Sequence, residues 1–449
     1  MTTATLPDLD RRPLLDWYRR NRERSAALFD LLADEAYYSQ PIALRHPIVF
    51  YEGHLPGFSF NTLVKRGLGR PSIDAALESL FARGIDPHES QASNDASPEA
   101  TRARWPSRET VRQFAAEADR QVIEALREGP IVQPGHPLLD GAEAAYGILE
   151  HEAMHQETLA YMWHRLPFDQ KRRPEGYAPV VDGTPPAQAW VDVPAGRATL
   201  GVDRGAVPFA WDNERPAYAV DVPGFAIQRH NVTNADFLEF VEAGGYANAG
   251  WWRPEDWAWR ESEGLTHPMF WERHADGTWA WRGMFDRVSL PGAWPVYVSQ
   301  AEAHAYAAWR GLRLPTEAEF QRAAFGAPEG DRPLPWGSDP TVAGHGVYDF
   351  VTWDPQPAGS HPAGASAWGV EDLVGNGWEW TSTVFGPFPG FEVIPSYPEY
   401  SADFFDGEHY VMKGASPMTA RELVRPSFRN WFRSRYPYVY AGFRCVRQA

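Results

Sequence analysis

The sequence predicts an α+β protein: a four-helix bundle over residues 1–167, a linker over 168–188, and a second, strand-containing domain over 189–449. Three observations predict it. Apolar residues recur at helical spacing through the first third of the chain. A proline-rich stretch over 167–188 breaks that pattern. Beyond Trp190 short β-like runs alternate with Gly, Pro and Asp turns. A chain of 449 residues is also too long for a single core, which by itself calls for at least two domains.

Taken in order, the first helix is predicted from Arg11 to about Tyr38, where Leu15, Tyr18, Leu28, Leu31 and Leu32 recur among arginines and acids. Pro47 opens a second, apolar segment that runs to about Leu63 with His54 in its middle. The stretch 84–100 is polar and predicts a connection with no core of its own. Ser107 leads into a third helix reaching about Arg127, with Val111, Phe114, Ala115, Ala118, Val122 and Leu126 as its stripe. A fourth runs from about Leu139 to Leu166. In the second domain the runs 198–202 and 218–222 read as strands, and helices are implied over 234–243, 300–311 and 316–324.

Composition narrows the function. The formal charge of -17 argues against nucleic acid, whose phosphates need a basic face. The chain has no uninterrupted apolar stretch of membrane-spanning length, and its first residues are polar and acidic where a signal peptide is basic and then apolar. A cytoplasmic protein acting on small molecules is the expectation. The single cysteine, Cys445, excludes an internal disulfide and any Cys-rich metal cluster, so a metal would be held by His, Asp, Glu or Tyr. The twenty tryptophans predict a loop-rich half pinned by large aromatic anchors.

The fourth helix carries His151 and His155, whose spacing stacks both imidazoles on one face. Two neutral imidazoles so placed can share a transition-metal ion if a third ligand arrives from another element. A histidine pair on a helix is also common as plain surface or core decoration. Within a bundle, whose core takes ligands from facing helices, His54 is the natural third ligand. Glu150, Glu152 and Glu157 compete for that place, Glu157 least because it lies on nearly the opposite face from His151.

The second half resembles the formylglycine-generating-enzyme-like domain, a variant of the C-type lectin fold. The words that carry the likeness include Asn213-Glu214-Arg215-Pro216, Asn231-Val232-Thr233-Asn234, Leu314-Pro315-Thr316-Glu317, Gly375-Asn376-Gly377-Trp378-Glu379-Trp380 and Gly442-Phe443-Arg444. The namesake enzymes act through copper-binding cysteines, which this chain lacks. The first half, with His54 and His151-x-x-x-His155, looks like the DinB-like bundle of the non-haem iron enzymes of ergothioneine biosynthesis, in which such a bundle precedes this lectin-like domain. That resemblance implies iron(II) held by His54, His151 and His155, with positions left for substrate and dioxygen. It also implies hercynine (Nα-trimethylhistidine) as substrate, its trimethylammonium received by aromatic rings. The matching residues are Asn430, Trp431 and Phe432.

The chain departs from the actinobacterial sulfoxide synthases in three places. Met154 stands where many relatives have Gln, Phe432 where users of γ-glutamylcysteine carry an acid, and the segment 385–391 offers no counterpart of their proton-donating tyrosine. Tyr37, Tyr38, Tyr51, Tyr397, Tyr400 and Tyr410 stay unranked for that role. The wording from His46 to His54 is closer to the selenoneine synthases, whose donor is a selenosugar. The expected activity is oxidative carbon–selenium or carbon–sulfur bond formation on the imidazole of hercynine. The alternatives are a sulfoxide synthase using cysteine or γ-glutamylcysteine, a zinc-dependent thiol transferase of the DinB type, and a lectin-like binding module without turnover.

Overall fold

A computed structural model describes residues 9–82 and 97–448, which form two compact units. The first is helical and comprises the chain up to Glu175 together with the short segment Ile394–Pro398; the second comprises Gly176–Val393 and residues 399 onward. Most of the connection expected over 84–100 falls outside the described residues.

In the helical unit α1 (Arg12–Asp30) buries Leu14, Tyr18, Asn21, Ser25, Leu28 and Phe29, a stripe at helical spacing. α2 (Ile48–Ser59) starts directly after Pro47 and passes into a π-helical stretch over Phe60–Gly67. Pro56 removes a backbone donor within it, and such loosened turns recur at functional sites. Two short helices, α3 (Ala75–Phe81) and α4 (Pro98–Arg104), precede α5 (Arg108–Glu128), which Ser107 caps by accepting from the Thr110 N–H. α6 (Glu143–Arg165) is buried nearly all round, as the central helix of a bundle must be. Polar ties fix it against α1: Asn21 donates to the Leu149 carbonyl at 2.8 Å, Trp163 to the Leu28 carbonyl at 2.9 Å, and Arg22 pairs with buried Glu152 at 2.8 Å.

The first helix ends at Asp30 where the sequence predicts about Tyr38, and the reason is tertiary. The N–H groups of Leu31 and Leu32 still reach back to Leu28 and Phe29, in tightened i→i−3 bonds, but from there the chain turns to residues 170–172: Arg172 N–H donates to the Leu31 carbonyl at 2.6 Å, Ala33 N–H to the Gln170 carbonyl at 3.0 Å, and Leu32 bridges Lys171. Residues 34–38 then form a 3₁₀ turn. α3 and α4 were not anticipated.

The second unit is built from short strands and long connections. β1 (Trp190–Val193), β2 (Gly196–Leu200), β3 (Tyr218–Val222) and β4 (Phe225–Gln228) precede α7 (Asn234–Glu242) and α8 (Pro254–Ser262). There follow β5 (Trp271–Arg273), β6 (Trp279–Arg282) and β7 (Arg287–Ser289), then α9 (Gln300–Trp309) and α10 (Glu317–Phe325). β8 (Gly377–Val384), β9 (His409–Ala415), β10 (Asn430–Arg433), β11 (Ala441–Gly442) and β12 (Val446–Gln448) complete it. The largest sheet runs β10-β9-β8-β11; the others are β1-β4-β12, β2-β3 and β5-β6-β7. α8 and the β5–β7 sheet lie in a tryptophan-rich stretch without clear periodicity and were not predicted.

The recognisable words of the sequence prove to be halves of buried ion pairs. Glu214 receives Arg425 at 2.8 Å, Glu317 receives Arg429 through two bonds of 2.8 and 3.1 Å, and Glu379 receives Arg444 at 2.7 and 2.6 Å. Arg444 also caps the carbonyls of Gln228, Arg229 and Glu371, so one guanidinium ties the end of β4 to the loop that carries Glu371. Both Glu379 and Arg444 are fully buried. Arg444→Met is therefore expected to cost about 3–5 kcal/mol by stranding a buried carboxylate, and Arg444→Met with Glu379→Leu to recover much of that. Denaturant unfolding followed by tryptophan fluorescence measures both; a single variant as stable as the parent contradicts this account.

Candidate metal centre

α2 carries His54 and α6 carries His151 and His155, one turn apart on the face turned toward α2. Their Nε2 atoms form a nearly equilateral triangle: 3.3 Å from His54 to His151, 3.2 Å from His54 to His155 and 3.1 Å from His151 to His155. All three side chains are buried. The Nδ1–H of His54 donates to the Phe81 carbonyl at 2.7 Å, which leaves its Nε2 as a bare lone pair aimed at the other two. Three nitrogens bound to one ion at about 2.1 Å, at angles between octahedral and tetrahedral, lie roughly 3.0–3.4 Å apart. The donor set therefore fits a transition metal, and no carboxylate joins it among the described residues.

Burial makes these imidazoles neutral. It pushes His54 down to about 4, with nearby His46 adding to the effect and the Phe81 carbonyl opposing it. His151 and His155 are pushed well below the ordinary histidine range by burial first and by the neighbouring rings second; Arg45 contributes at His155. Glycine makes part of this possible. A Cβ on Gly53 would lie 2.5 Å from the Phe81 ring, so only glycine lets Phe81 approach α2 closely enough for its carbonyl to reach His54.

The three competing carboxylates take no part. Glu152 turns to Arg22 and Ser25, at 2.8 and 2.7 Å, and Glu150 and Glu157 are buried outside the triad.

Aromatic rings surround the histidines. Phe50 stacks on His54 at 4.7 Å, Phe58 on His151 at 3.6 Å, and Tyr51 lies 5.9 Å from His155. Sequence reasoning missed Phe50 and Phe58, although their spacing of four on either side of His54 was there to read. Of the six tyrosines singled out, Tyr51 and Tyr397 border the triad. Tyr37 and Tyr38 line a cavity of about 450 Å³ with Trp105, Arg102, Arg108 and Asp34. Tyr400 and Tyr410 belong to the second unit.

In the second unit Asn430, Trp431 and Phe432 are consecutive in β10, so strand alternation divides them. Trp431 stacks on Phe385 at 4.3 Å with the planes 4° apart, and meets Tyr400 at 5.2 Å and Phe404 at 5.8 Å. Phe432 stacks on Tyr436 at 5.2 Å, and the Asn430 side-chain oxygen accepts from the Trp431 N–H. Cys445 is buried just before β12 and burial pushes its thiol far up, which unfits it as a nucleophile.

Comparison with known proteins accords with both units. Residues 178–449 match the sulfatase-modifying factor enzyme 1-like domain and residues 18–159 the DinB superfamily. A hercynine oxygenase of Mycolicibacterium thermoresistibile is 38% identical over an alignment that covers 96% of this chain and 93% of that protein. A hercynine oxygenase of Mycolicibacterium smegmatis is 40% identical over 66% of this chain and 70% of its own. Ergothioneine biosynthesis protein 1 of Schizosaccharomyces pombe is 28% identical over 93% of this chain and 54% of that longer protein. The chain thus belongs to the ergothioneine-type enzymes that join a DinB-superfamily domain to a sulfatase-modifying factor enzyme 1-like domain.

Proposed function

We propose that the protein is an iron(II)- and dioxygen-dependent enzyme that forms a carbon–chalcogen bond on the imidazole of hercynine, with a selenosugar as the donor. The convergence of three neutral, buried Nε2 atoms carries the metal part of this reading. The hercynine oxygenases among its relatives support the substrate. When bound to His54, His151 and His155, iron(II) would supply the redox chemistry that couples dioxygen to bond formation. The chain's own side chains bind, orient and exclude water, and the rings of Phe50 and Phe58 make the surroundings of the triad apolar.

Trp431 is the proposed receptor of the trimethylammonium, which offers nothing to a hydrogen-bond acceptor and is best met by a π face. Phe385 stacked parallel on it holds the indole in one orientation, and Tyr400 and Phe404 add two further rings.

The donor follows from charge. γ-Glutamylcysteine brings two carboxylates and an ammonium, and a site for it would offer free guanidinium forks with an acid. Here Phe432 stands in the acid's place, and three of the five arginines that could serve are engaged with acids: Arg108 with Glu52 at 3.3 Å, Arg435 with Asp256 at 2.9 Å, Arg433 with Glu408 at 3.8 Å; Arg102 lies over the Tyr38 ring and Arg104 donates to the Ala100 carbonyl. A sugar needs rings and hydrogen-bond partners instead, which the cavity beside Tyr37, Tyr38 and Trp105 supplies. A thiol donor, giving a hercynine sulfoxide synthase, is the second reading, favoured by relatives in ergothioneine biosynthesis.

Three outcomes are expected. His151→Ala abolishes metal binding and activity; a full iron complement in that variant after anaerobic purification removes the triad from the account. Trp431→Ala weakens hercynine roughly 2- to 30-fold, the equivalent of about 0.5–2 kcal/mol, while leaving iron content unchanged. Unaltered hercynine affinity in a titration would defeat the receptor assignment. Offered 1-selenoglucose, 1-thioglucose, cysteine and γ-glutamylcysteine at equal concentration with iron, oxygen and hercynine, the enzyme yields chiefly the selenium product; a mixture dominated by a cysteine-derived sulfoxide transfers it to the second reading.

A further inference from the structure

Metal-binding histidines are ordinarily held in orientation by a hydrogen bond to the ring nitrogen that does not face the metal. His54 follows this rule through the Phe81 carbonyl. For His151 no protein group among the described residues hydrogen-bonds Nδ1. Its ring is instead held by two others. Phe58 stacks on its face at 3.6 Å and 11°, and Tyr397 meets it at 5.9 Å and 69°. Those two also touch each other, at 5.1 Å and 59°, so the three rings close on themselves.

The two members of this clamp differ in origin. Phe58 lies four residues beyond His54 on α2 and comes with the helix. Tyr397 comes from Ile394–Pro398, a segment that packs in the helical unit although the residues on both its sides belong to the second unit. Something must fasten so short a stretch. Arg66, in the π-helical turn after α2, spans its backbone by donating from Nη1 to the Ser396 carbonyl and from Nη2 to the Pro395 carbonyl, both at 3.2 Å. The Ser396 N–H donates to Glu143 at 3.3 Å, and Glu143 sits in the first turn of α6, about two turns before His151 on the same helix. Ile394 and Ser396 are buried. Pro395 and Pro398 restrict the backbone on either side of Tyr397, which lowers the entropy lost on fixing it.

We propose that Tyr397 is a positioning residue of the metal centre: its ring, with that of Phe58, fixes the His151 imidazole, and Arg66 and Glu143 fix Tyr397. This rests on the reading of His54, His151 and His155 as metal ligands. An aromatic clamp here stands in for the usual hydrogen bond. It leaves His151 without a polar partner on Nδ1, and it makes the geometry at the metal depend on a five-residue segment remote in sequence.

The test uses the full-length, metal-free protein titrated with cobalt(II), whose visible d–d absorption reports both affinity and ligand geometry, with no turnover required. Tyr397→Phe keeps the ring and is expected to bind as the parent does. Tyr397→Ala is expected to weaken cobalt by roughly 10- to 100-fold and to alter the d–d bands. Arg66→Ala moves both in the same direction by less. Should Tyr397→Ala melt early without metal, Tyr397→Leu decides: it restores apolar bulk without a ring, so weakened binding supports the clamp and parental affinity with a parental spectrum overturns it. Parental affinity and spectrum in a folded Tyr397→Ala overturn it outright. His151→Ala separates the two levels. If that variant loses cobalt while Tyr397→Ala keeps it, the clamp fails and the triad stands; if His151→Ala binds cobalt as the parent does, the triad itself fails.

Discussion

Bringing three buried imidazole nitrogens within 3.3 Å of one another is the constraint around which the packing of α2 on α6 is arranged. Burial disfavours a second proton on any of these rings, so the triangle carries no charge of its own with which to meet a cation's. The packing of α2 on α6 has to hold the arrangement regardless. It does so through contacts that look unrelated until they are traced to the triad. Gly53 exists so that Phe81 can approach. Asn21, Arg22 and Ser25 of α1 engage the backbone and side chains of α6 from behind, drawing Glu152 away from the histidines. A carboxylate one residue from His151 is thereby made part of the frame and kept away from the three imidazoles.

The second unit solves a different problem, that of holding long irregular connections without much regular structure. Its means are guanidinium groups used as multi-point ties. Arg429 reaches Glu317 and the carbonyls of Asn213 and Gly386, and its charge lies over the rings of Phe385 and Phe388. Since Phe385 is the ring stacked on Trp431, the same buried pair that holds the loops also sets the indole. Replacing such a pair with apolar residues need not cost stability; what it would remove is the unique placement of the backbone that ends in β10.

These two solutions explain what was legible in the sequence. α5 was readable because its periodic stripe and its Ser107 cap are local, and on α6, which is buried nearly all round, the His151–His155 spacing is a property of one helix. The preference for His54 over Glu150, Glu152 and Glu157 rested on the bundle context alone; the capture of Glu152 by Arg22 and Ser25 of another helix, which turns that carboxylate away from the triad, was not legible. The overlong first helix failed for a similar reason: Leu31 and Leu32 continue the apolar pattern, and only the bonds to residues 170–172 stop it. Tyr397 was one of six tyrosines without rank, since a five-residue segment carries no periodicity and its partners, Arg66 and Glu143, lie more than two hundred and fifty residues away by sequence, as the separations of 330 and 253 show. The ion pairs were visible as conspicuous words, but not as pairs.

The absence of a carboxylate from the triad, among the described residues, bears on the proposed donor. A divalent ion held by imidazoles alone keeps its full charge, and the rings of Phe50, Phe58, Tyr51 and Tyr397 around it lower the local dielectric that would otherwise screen that charge. Such a site favours an anionic co-substrate over a neutral one. A selenolate is ionised at neutral pH without help, and it is softer than most thiolates, so it meets the requirement with no dedicated base. A thiol reaches the same state once it binds, because a metal ion of undiminished charge lowers the pKa of a coordinating thiol until it ionises, so charge at the metal alone does not separate the two donors. What separates the two donors in the proposed reading is the place of Phe432, which stands where users of γ-glutamylcysteine carry an acid.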